Sequence, residues 1–257
     1  MLGRQRLTAF RRLFLAQAGF TADDSIIEAS LGFAKVFGHS GEVDWAKVSE
    51  NLGKTFLITS AEGLSIKPYP SCGFTHCAID AALYIKEEHN VNAADIAEVE
   101  LGVSPFDKQI LIHHRPRTGL EGKFSLEYCV ARALLSGEVR LKHLTDEAVT
   151  EPQVKSLIEE MKWVVKYPMP VMGTPEGFGS KSVTVKLEDG RKYCKEVTIA
   201  KGMPQNPLTP DEFNSKYRDC ASTVLNKEDV EKSLSILANL GKLNLPIGEL
   251  VEIIAKK

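Results

Sequence analysis

The run Lys67-Pro68-Tyr69-Pro70-Ser71-Cys72-Gly73-Phe74-Thr75-His76 gathers reactive side chains around a constrained backbone. Each proline fixes its own φ and pushes the residue before it toward an extended conformation, so the approach is rigid. Gly73 then lets the chain enter a helix whose first N–H groups are free. Those donors, the positive end of the helix dipole and the Lys67 ammonium could together hold a carboxylate or phosphate. His76, in the first turn, could act there as a general acid or base near neutral pH. Proton transfer on a small anionic substrate is the chemistry these residues suit. The plainer alternative is a Pro-rich loop with a solvated lysine and a helix-capping histidine.

Other clusters are less specific. Lys123-Phe124-Ser125-Leu126-Glu127-Tyr128 could present the Tyr128 phenol to a pocket, or simply pack Tyr128 in the core with its hydroxyl satisfied. His113-His114 looks like a metal pair, but adjacent strand residues point to opposite faces, so the pair reads as a polar loop and no metal is expected. Cys72 and Cys77 read as small buried hydrophobes. Gly173, Gly177 and Gly179 follow neither the P-loop nor the dinucleotide spacing, so no nucleotide cofactor is expected. Neither a Ser/His/Asp hydrolase motif nor HExxH occurs.

The elements that must position these groups follow from periodicity. Leu7, Phe10, Leu13, Phe14 and Ala18 recur at helical spacing and stop at Gly19; helices are expected next at Asp24 to Val36 and at Trp45 to Leu52. Such helices cannot bury their apolar faces without further partners. A helix is expected from Phe74 to Glu88, and a strand over Ala97 to Val103 with Val99, Leu101 and Val103 on one side. Phe124 to Leu135 reads as an apolar helix closed by Gly137, and Val154, Leu157, Ile158 and Met161 as the stripe of another. Val183, Val185 and Leu187 alternate before an Asp189-Gly190 turn, with Val197 and Ile199 on the return strand of a hairpin. Thr209-Pro210-Asp211-Glu212 is a capping box with proline at the first helical position, opening a helical C-terminal segment. The expected organisation is a helical segment over 1–62, an α+β module over 63–202 and a helical segment over 203–257.

Composition narrows the function classes. The 257 residues carry 32 Lys and Arg against 34 Asp and Glu, a formal charge of −2, which argues against a nucleic-acid or membrane-surface partner. Hydrophobic residues at 43% suffice for a core, and no stretch approaches the roughly 20 apolar residues of a membrane helix. The odd set Cys72, Cys77, Cys129, Cys194 and Cys220, without CxxC pairs, fits a reducing cytoplasm. The Arg-rich opening superficially resembles a mitochondrial presequence, but it has one hydroxyl residue, Thr8, and runs straight into a helical pattern.

Gly63 to His76, continued by Ala78-Ile79-Asp80-Ala81-Ala82-Leu83, resembles the central motif of the MmgE/PrpD family. Further blocks resemble the family in the right order: Thr118 to Leu135, the Asp189-Gly190 hairpin, Asn206-Pro207-Leu208-Thr209 leading to Lys216-Tyr217, and the helix end at Ala16 to Thr21. The resemblance implies an α+β fold, with an inserted α+β lid domain flanked by segments of an all-helical domain. It implies cofactor-independent lyase work on small di- or tricarboxylic acids in the cleft between them. Dehydration of 2-methylcitrate, in propionate catabolism, is the leading expectation, with epimerisation or decarboxylation as alternatives; some decarboxylase relatives have a histidine near the Cys72 position, which weighs against that branch. Carried over by position, Lys67 would bind or polarise a substrate carboxylate, and the Cys72 position and His76 would sit in the cleft at the lid hinge; His76 is the expected proton-transfer group, and Ser71, Cys72, Gly73 and Tyr128 are further candidate substrate contacts. Family enzymes are much longer, so the chain is expected to lack part of the helical domain. Its partner would be a second copy in a homodimer or a separate subunit carrying the N-terminal half. The competing expectation is a module that binds a carboxylate or a partner without turnover.

Overall fold

The computed structural model describes residues 11–38, 43–60, 63–171, 177–241 and 247–255. It divides into two compact units, Met1–Phe56 and Leu57–Lys257. Among the described residues no helix is long and apolar enough to cross a membrane.

In the first unit residues 11–17 are helical, and Gly19 ends the helix at φ +87, where an L side chain would be strained. Leu7 and Phe10 lie outside the described residues. The helix expected over Asp24 to Val36 is corrected: residues 24–32 form successive turns and only Phe33–Phe37 is helical. The chain folds back at Gly32, where the Phe33 and Ala34 amides donate to the Ile26 and Ile27 carbonyls at 2.8 and 2.9 Å; a Cβ at Gly32 would lie 2.4 Å from the Ile26 carbonyl oxygen. Trp45–Glu50 is helical, with the Asp44 side chain accepting from the Lys47 amide. Of the described residues in this unit only Gly32 is buried, while Phe14, Leu31, Phe33 and Phe37 stand exposed. Among the described residues these helices bury no face of their own.

The second unit is built on a four-stranded sheet in the order β2-β1-β3-β4, with β1 Ile96–Val103, β2 Met161–Val165, β3 Lys181–Leu187 and β4 Lys192–Val197. The β3–β4 hairpin forms at the expected turn, where Gly190 has φ +88. Val99 lies opposite Val185 and Leu101 opposite Val183 in the antiparallel β1–β3 pairing, so the alternating residues meet in the core. β2 was not expected. Its first residue, Met161, continues the apolar stripe of the preceding helix by spacing, but that helix stops at Glu159 and Met161 pairs with Val99 in a parallel edge strand.

The His76–Glu88 helix packs on β3, on β4 and on the Leu126–Ser136 helix. Its inner face places Ile79, Ala82 and Ile85 at 0% exposure; each isoleucine contributes ~1.5–3 kcal/mol by leaving water. The Leu126–Ser136 helix is buried along most of its length, capped by the Ser125 side chain at its start and ended by Gly137 at φ +68. The expected capping box at Thr209 and Glu212 opens the Pro210–Ala221 helix, followed by Lys227–Ala238 and Ile247–Ala255. The Pro210–Ala221 helix is tied to the loop after the Leu126–Ser136 helix, with Arg140 Nη2 donating to Ser215 Oγ at 2.8 Å and the Leu141 amide to Asp219 Oδ2 at 3.3 Å.

Candidate active site

The Pro-rich turn is held at four points by distant parts of the chain. The Ile66 amide donates to the Gly202 carbonyl at 2.8 Å, and the Cys72 amide to the Lys123 carbonyl at 2.9 Å. The Tyr69 hydroxyl donates to Asp80 Oδ1 at 2.6 Å, joining the turn to the helix it leads into. The fourth point is Gly73, where a Cβ would lie 2.7 Å from Phe178 Cε1, so the Phe178 ring occupies the space a side chain would need. Glycine is therefore required at position 73 for close approach. Gly73, Phe74 and Thr75 form a buried 3-10 turn before the α-helix starts at His76, so the first amides are covered rather than open as expected. Ser71 Oγ and Thr75 Oγ1 lie 2.8 Å apart, and Thr75 Oγ1 donates to the Cys72 carbonyl at 2.8 Å.

Lys67 and His76 converge on this turn. Lys67 is exposed, and its Nζ donates to the Ser71 carbonyl at 3.0 Å. His76 is 3% exposed, and its Nε2 is buried without a hydrogen-bond partner among the described residues. Burial, reinforced by the Lys67 charge, pushes the imidazole down to about 4, while its hydrogen bond to the Ser71 backbone opposes the shift. His76 is therefore neutral at physiological pH. A ring N–H given to the Ser71 carbonyl leaves Nε2 as the nitrogen with the free lone pair. The Tyr69 ring meets the His76 ring edge-on at 5.3 Å and 79°.

Tyr69 and Asp80 belong to the same cluster, although sequence reasoning assigned them no role. Asp80 Oδ2 accepts from the Lys201 amide at 2.7 Å, and burial raises the Asp80 carboxyl against the pull of that amide and of Tyr69. Burial also raises the Tyr69 phenol, with the Asp80 charge adding to the effect. Two signals could have revealed the pair: a tyrosine locked between prolines, and an aspartate four residues beyond His76 on the same helical face.

The remaining residues separate from this cluster. Tyr128 is fully buried and its hydroxyl donates to the His143 carbonyl, so the structural alternative describes its environment. Cys77 is buried, and desolvation pushes its thiol up to about 12; Cys72 is half-buried. Among the described residues no three His, Cys, Asp or Glu side chains are grouped as a metal site would need. His114 instead pairs with Glu127, Nδ1 to Oε1 at 2.7 Å. Cavities of about 730, 640, 280 and 560 Å³ open elsewhere on this unit, and neither Lys67 nor His76 lines any of them. Taken alone, the turn sets an exposed cation beside a buried neutral base, the two groups needed to hold a carboxylate and to accept a proton next to it.

Comparison with known proteins identifies the family of the chain. The model of the MmgE/PrpD C-terminal domain matches residues 69–242. Cis-aconitate decarboxylase of Mus musculus is 22% identical over 238 residues, covering 90% of this chain and 46% of that protein. The Homo sapiens cis-aconitate decarboxylase is 22% identical over 244 residues, 90% of this chain and 47% of its own. The cis-aconitate decarboxylase-like protein oryM of Aspergillus oryzae (strain ATCC 42149 / RIB 40) is 23% identical over 257 residues, 94% and 51% of the two chains. The chain thus spans about half the length of the curated relatives it matches. The matched domain contains the His76–Glu88 helix, the whole sheet and nearly all of the turn that carries the candidate site, and the chain belongs to the MmgE/PrpD family.

Proposed function

We propose that this chain takes part in a lyase reaction on a small di- or tricarboxylic acid, without a cofactor. Lys67 holds a substrate carboxylate, His76 transfers the proton, and Ser71, Cys72 and Gly73 shape the turn between them. The observation that carries the reading is the state of His76, a buried neutral imidazole with an unengaged Nε2 beside the Lys67 charge. A neutral imidazole is a proton acceptor. That favours a reaction opening with removal of a proton α to a carboxylate, as in dehydration of 2-methylcitrate: the C–H bond breaks toward His76, negative charge builds on the carboxylate facing Lys67, and the hydroxyl leaves with a proton from an acid. The names of the relatives favour a second reading, decarboxylation of cis-aconitate. There the C–C bond breaks, CO2 departs, and the carbanion takes a proton that must come from an acid other than the neutral His76.

In this reading residues 63–202 form the lid domain, and the segments 1–62 and 203–257 belong to the helical domain. A second copy or a further helical subunit completes the cleft. The exposed Phe14, Leu31, Phe33 and Phe37 of the Met1–Phe56 unit support the need for a further partner surface.

Turnover of 2-methylcitrate and of cis-aconitate should be measured on the purified chain, alone and mixed with any polypeptide encoded beside it that carries the other half of the relatives. Activity on either acid, lost in His76→Ala and in Lys67→Ala, supports the reading and identifies the reaction. A folded chain inactive on both acids under both conditions overturns it in favour of a binding module.

A further inference from the structure

Glu127 sits in the first turn of the Leu126–Ser136 helix and is only 5% exposed. One carboxylate oxygen, Oε1, meets His114 Nδ1 at 2.7 Å; the other, Oε2, is buried and has no hydrogen-bond partner among the described residues. The buried Trp163 indole N–H lies near the Glu127 carboxylate and favours its charged form, and the Trp163 ring packs edge-on against His114 at 5.1 Å and 78°. Glu127 and Trp163 thus fix the imidazole from two sides. A carboxylate on Nδ1 selects the tautomer with the proton on that nitrogen, leaving Nε2 as an acceptor on the outer edge of a side chain that is 56% exposed.

His114 lines an open cavity of about 640 Å³, together with His113, Arg115, Arg117, Glu121 and Glu159. Neither guanidinium takes part in an ion pair among the described residues. Of the three carboxylates in the lining, Glu127 is engaged by His114, and Glu121 turns its Oε2 to the Arg117 backbone amide at 2.6 Å. Among the described residues that line the cavity, only Glu159 presents a carboxylate with neither a hydrogen bond nor an ion pair. A ligand matching this surface carries an oxyanion for the two arginines and a hydroxyl donor for Glu159 or for His114 Nε2.

We propose that this cavity is a second ligand site, separate from the Lys67–His76 turn, that takes a small hydroxylated compound bearing a carboxylate or a phosphate. Arg115 and Arg117 hold the oxyanion, and His114, oriented by Glu127, hydrogen-bonds its hydroxyl. The site does not depend on the lyase reading, because none of its residues belongs to the Lys67–His76 cluster.

The test follows the imidazole nitrogens of the full chain by 1H–15N NMR, with His114→Gln identifying the His114 signals among the six histidines. Citrate and glycerol 3-phosphate are titrated separately, against sodium chloride at matched ionic strength. A saturable shift of the His114 signals is expected, with affinity falling about tenfold in Arg115→Ala and in Arg117→Ala. Glu127→Gln should change the His114 tautomer signature before any ligand is added. Saturation by one compound alone identifies a carboxylate or a phosphate site, and saturation by both identifies a general oxyanion site. Shifts that chloride reproduces, that survive both arginine substitutions, or that vanish in Lys67→Ala overturn the proposal; the last outcome would assign the binding to the Lys67 turn instead. A loss of turnover in His76→Ala with His114 binding intact separates the two sites.

Discussion

Replacing His76 by Gln should flatten the acid side of the stability profile. In the folded chain the imidazole is pushed down to about 4 from an ordinary value of 6.5, first by burial and then by the Lys67 charge. Above pH 6.5 the side chain is neutral in both the folded and unfolded states and contributes no pH dependence. As the pH falls through 6.5, the unfolded chain takes up a proton that the folded chain refuses, and stability drops until the folded imidazole also titrates near 4. The gap corresponds to ~3 kcal/mol lost between pH 6.5 and 4, because each pH unit of displacement is worth about 1.4 kcal/mol. Other buried groups are shifted by burial as well. Asp80 and Glu127 are raised, so they gain stability as the pH falls, while His143 is lowered and loses it. All three remain in the variant, so the difference between wild type and His76→Gln isolates position 76. Urea denaturation at several pH values from 7 to 4.5 measures it, followed by Trp163 fluorescence in a Trp45→Phe background so that the signal comes from the Leu57–Lys257 unit alone. A difference between the two proteins that stays constant within ~0.5 kcal/mol across that range would refute a buried neutral His76, and with it the base assigned in the reaction.

Three further outcomes follow from the same geometry. Lys181 and Asp107 form an ion pair at 3.1 Å with both side chains at 0% exposure; Asp107→Asn strands the buried ammonium and should cost ~3–5 kcal/mol in urea denaturation, whereas Lys181→Met with Asp107→Leu should cost less than either single change. Gly73→Ala drives a methyl into the Phe178 ring and should lose ~1–3 kcal/mol, most of it recovered by adding Phe178→Leu; an additive double variant would show that the two do not meet. Lys67→Met removes a charge that holds the His76 imidazole down, so the His76 titration midpoint read by NMR should rise, and an unchanged midpoint would separate the two residues electrostatically.

Local chemistry explains which elements were legible. The β3–β4 hairpin needs only alternating valines and an Asp-Gly turn, and the Pro210–Ala221 helix only its capping box, so both are encoded within a dozen residues. β2 is different: five residues without alternation become a strand because Val99 and its neighbours offer a free edge sixty residues upstream. The helix expected over Asp24 to Val36 failed for a related reason, since the backbone closes on Ile26 and Ile27 at Gly32 and the side-chain period never acts. At the candidate site, Lys67 and His76 lie in one short motif and were visible. The His114–Glu127 pair joins a loop to the start of a helix thirteen positions on, and no period links them.

The four anchors of the Pro-rich turn show how the fold keeps His76 neutral. Gly202, Lys123, Asp80 and Phe178 each hold a different point of the turn, and they come from four separate stretches of chain. Prolines at 68 and 70 reduce the conformational freedom that folding must remove there, so each anchor immobilises little that is not already stiff. The turn is consequently fixed by the core of the unit rather than by solvent-exposed contacts. Under that constraint the imidazole ring is trapped between the Tyr69 edge and the buried helix start, where water cannot solvate a charge. The Lys67 ammonium, one hydrogen bond away through the Ser71 carbonyl, adds a second penalty to protonation. The loss of stability in acid and the availability of a proton acceptor at neutral pH are two results of the same burial. A substitution that lets water reach His76 should therefore relieve the first only by weakening the second.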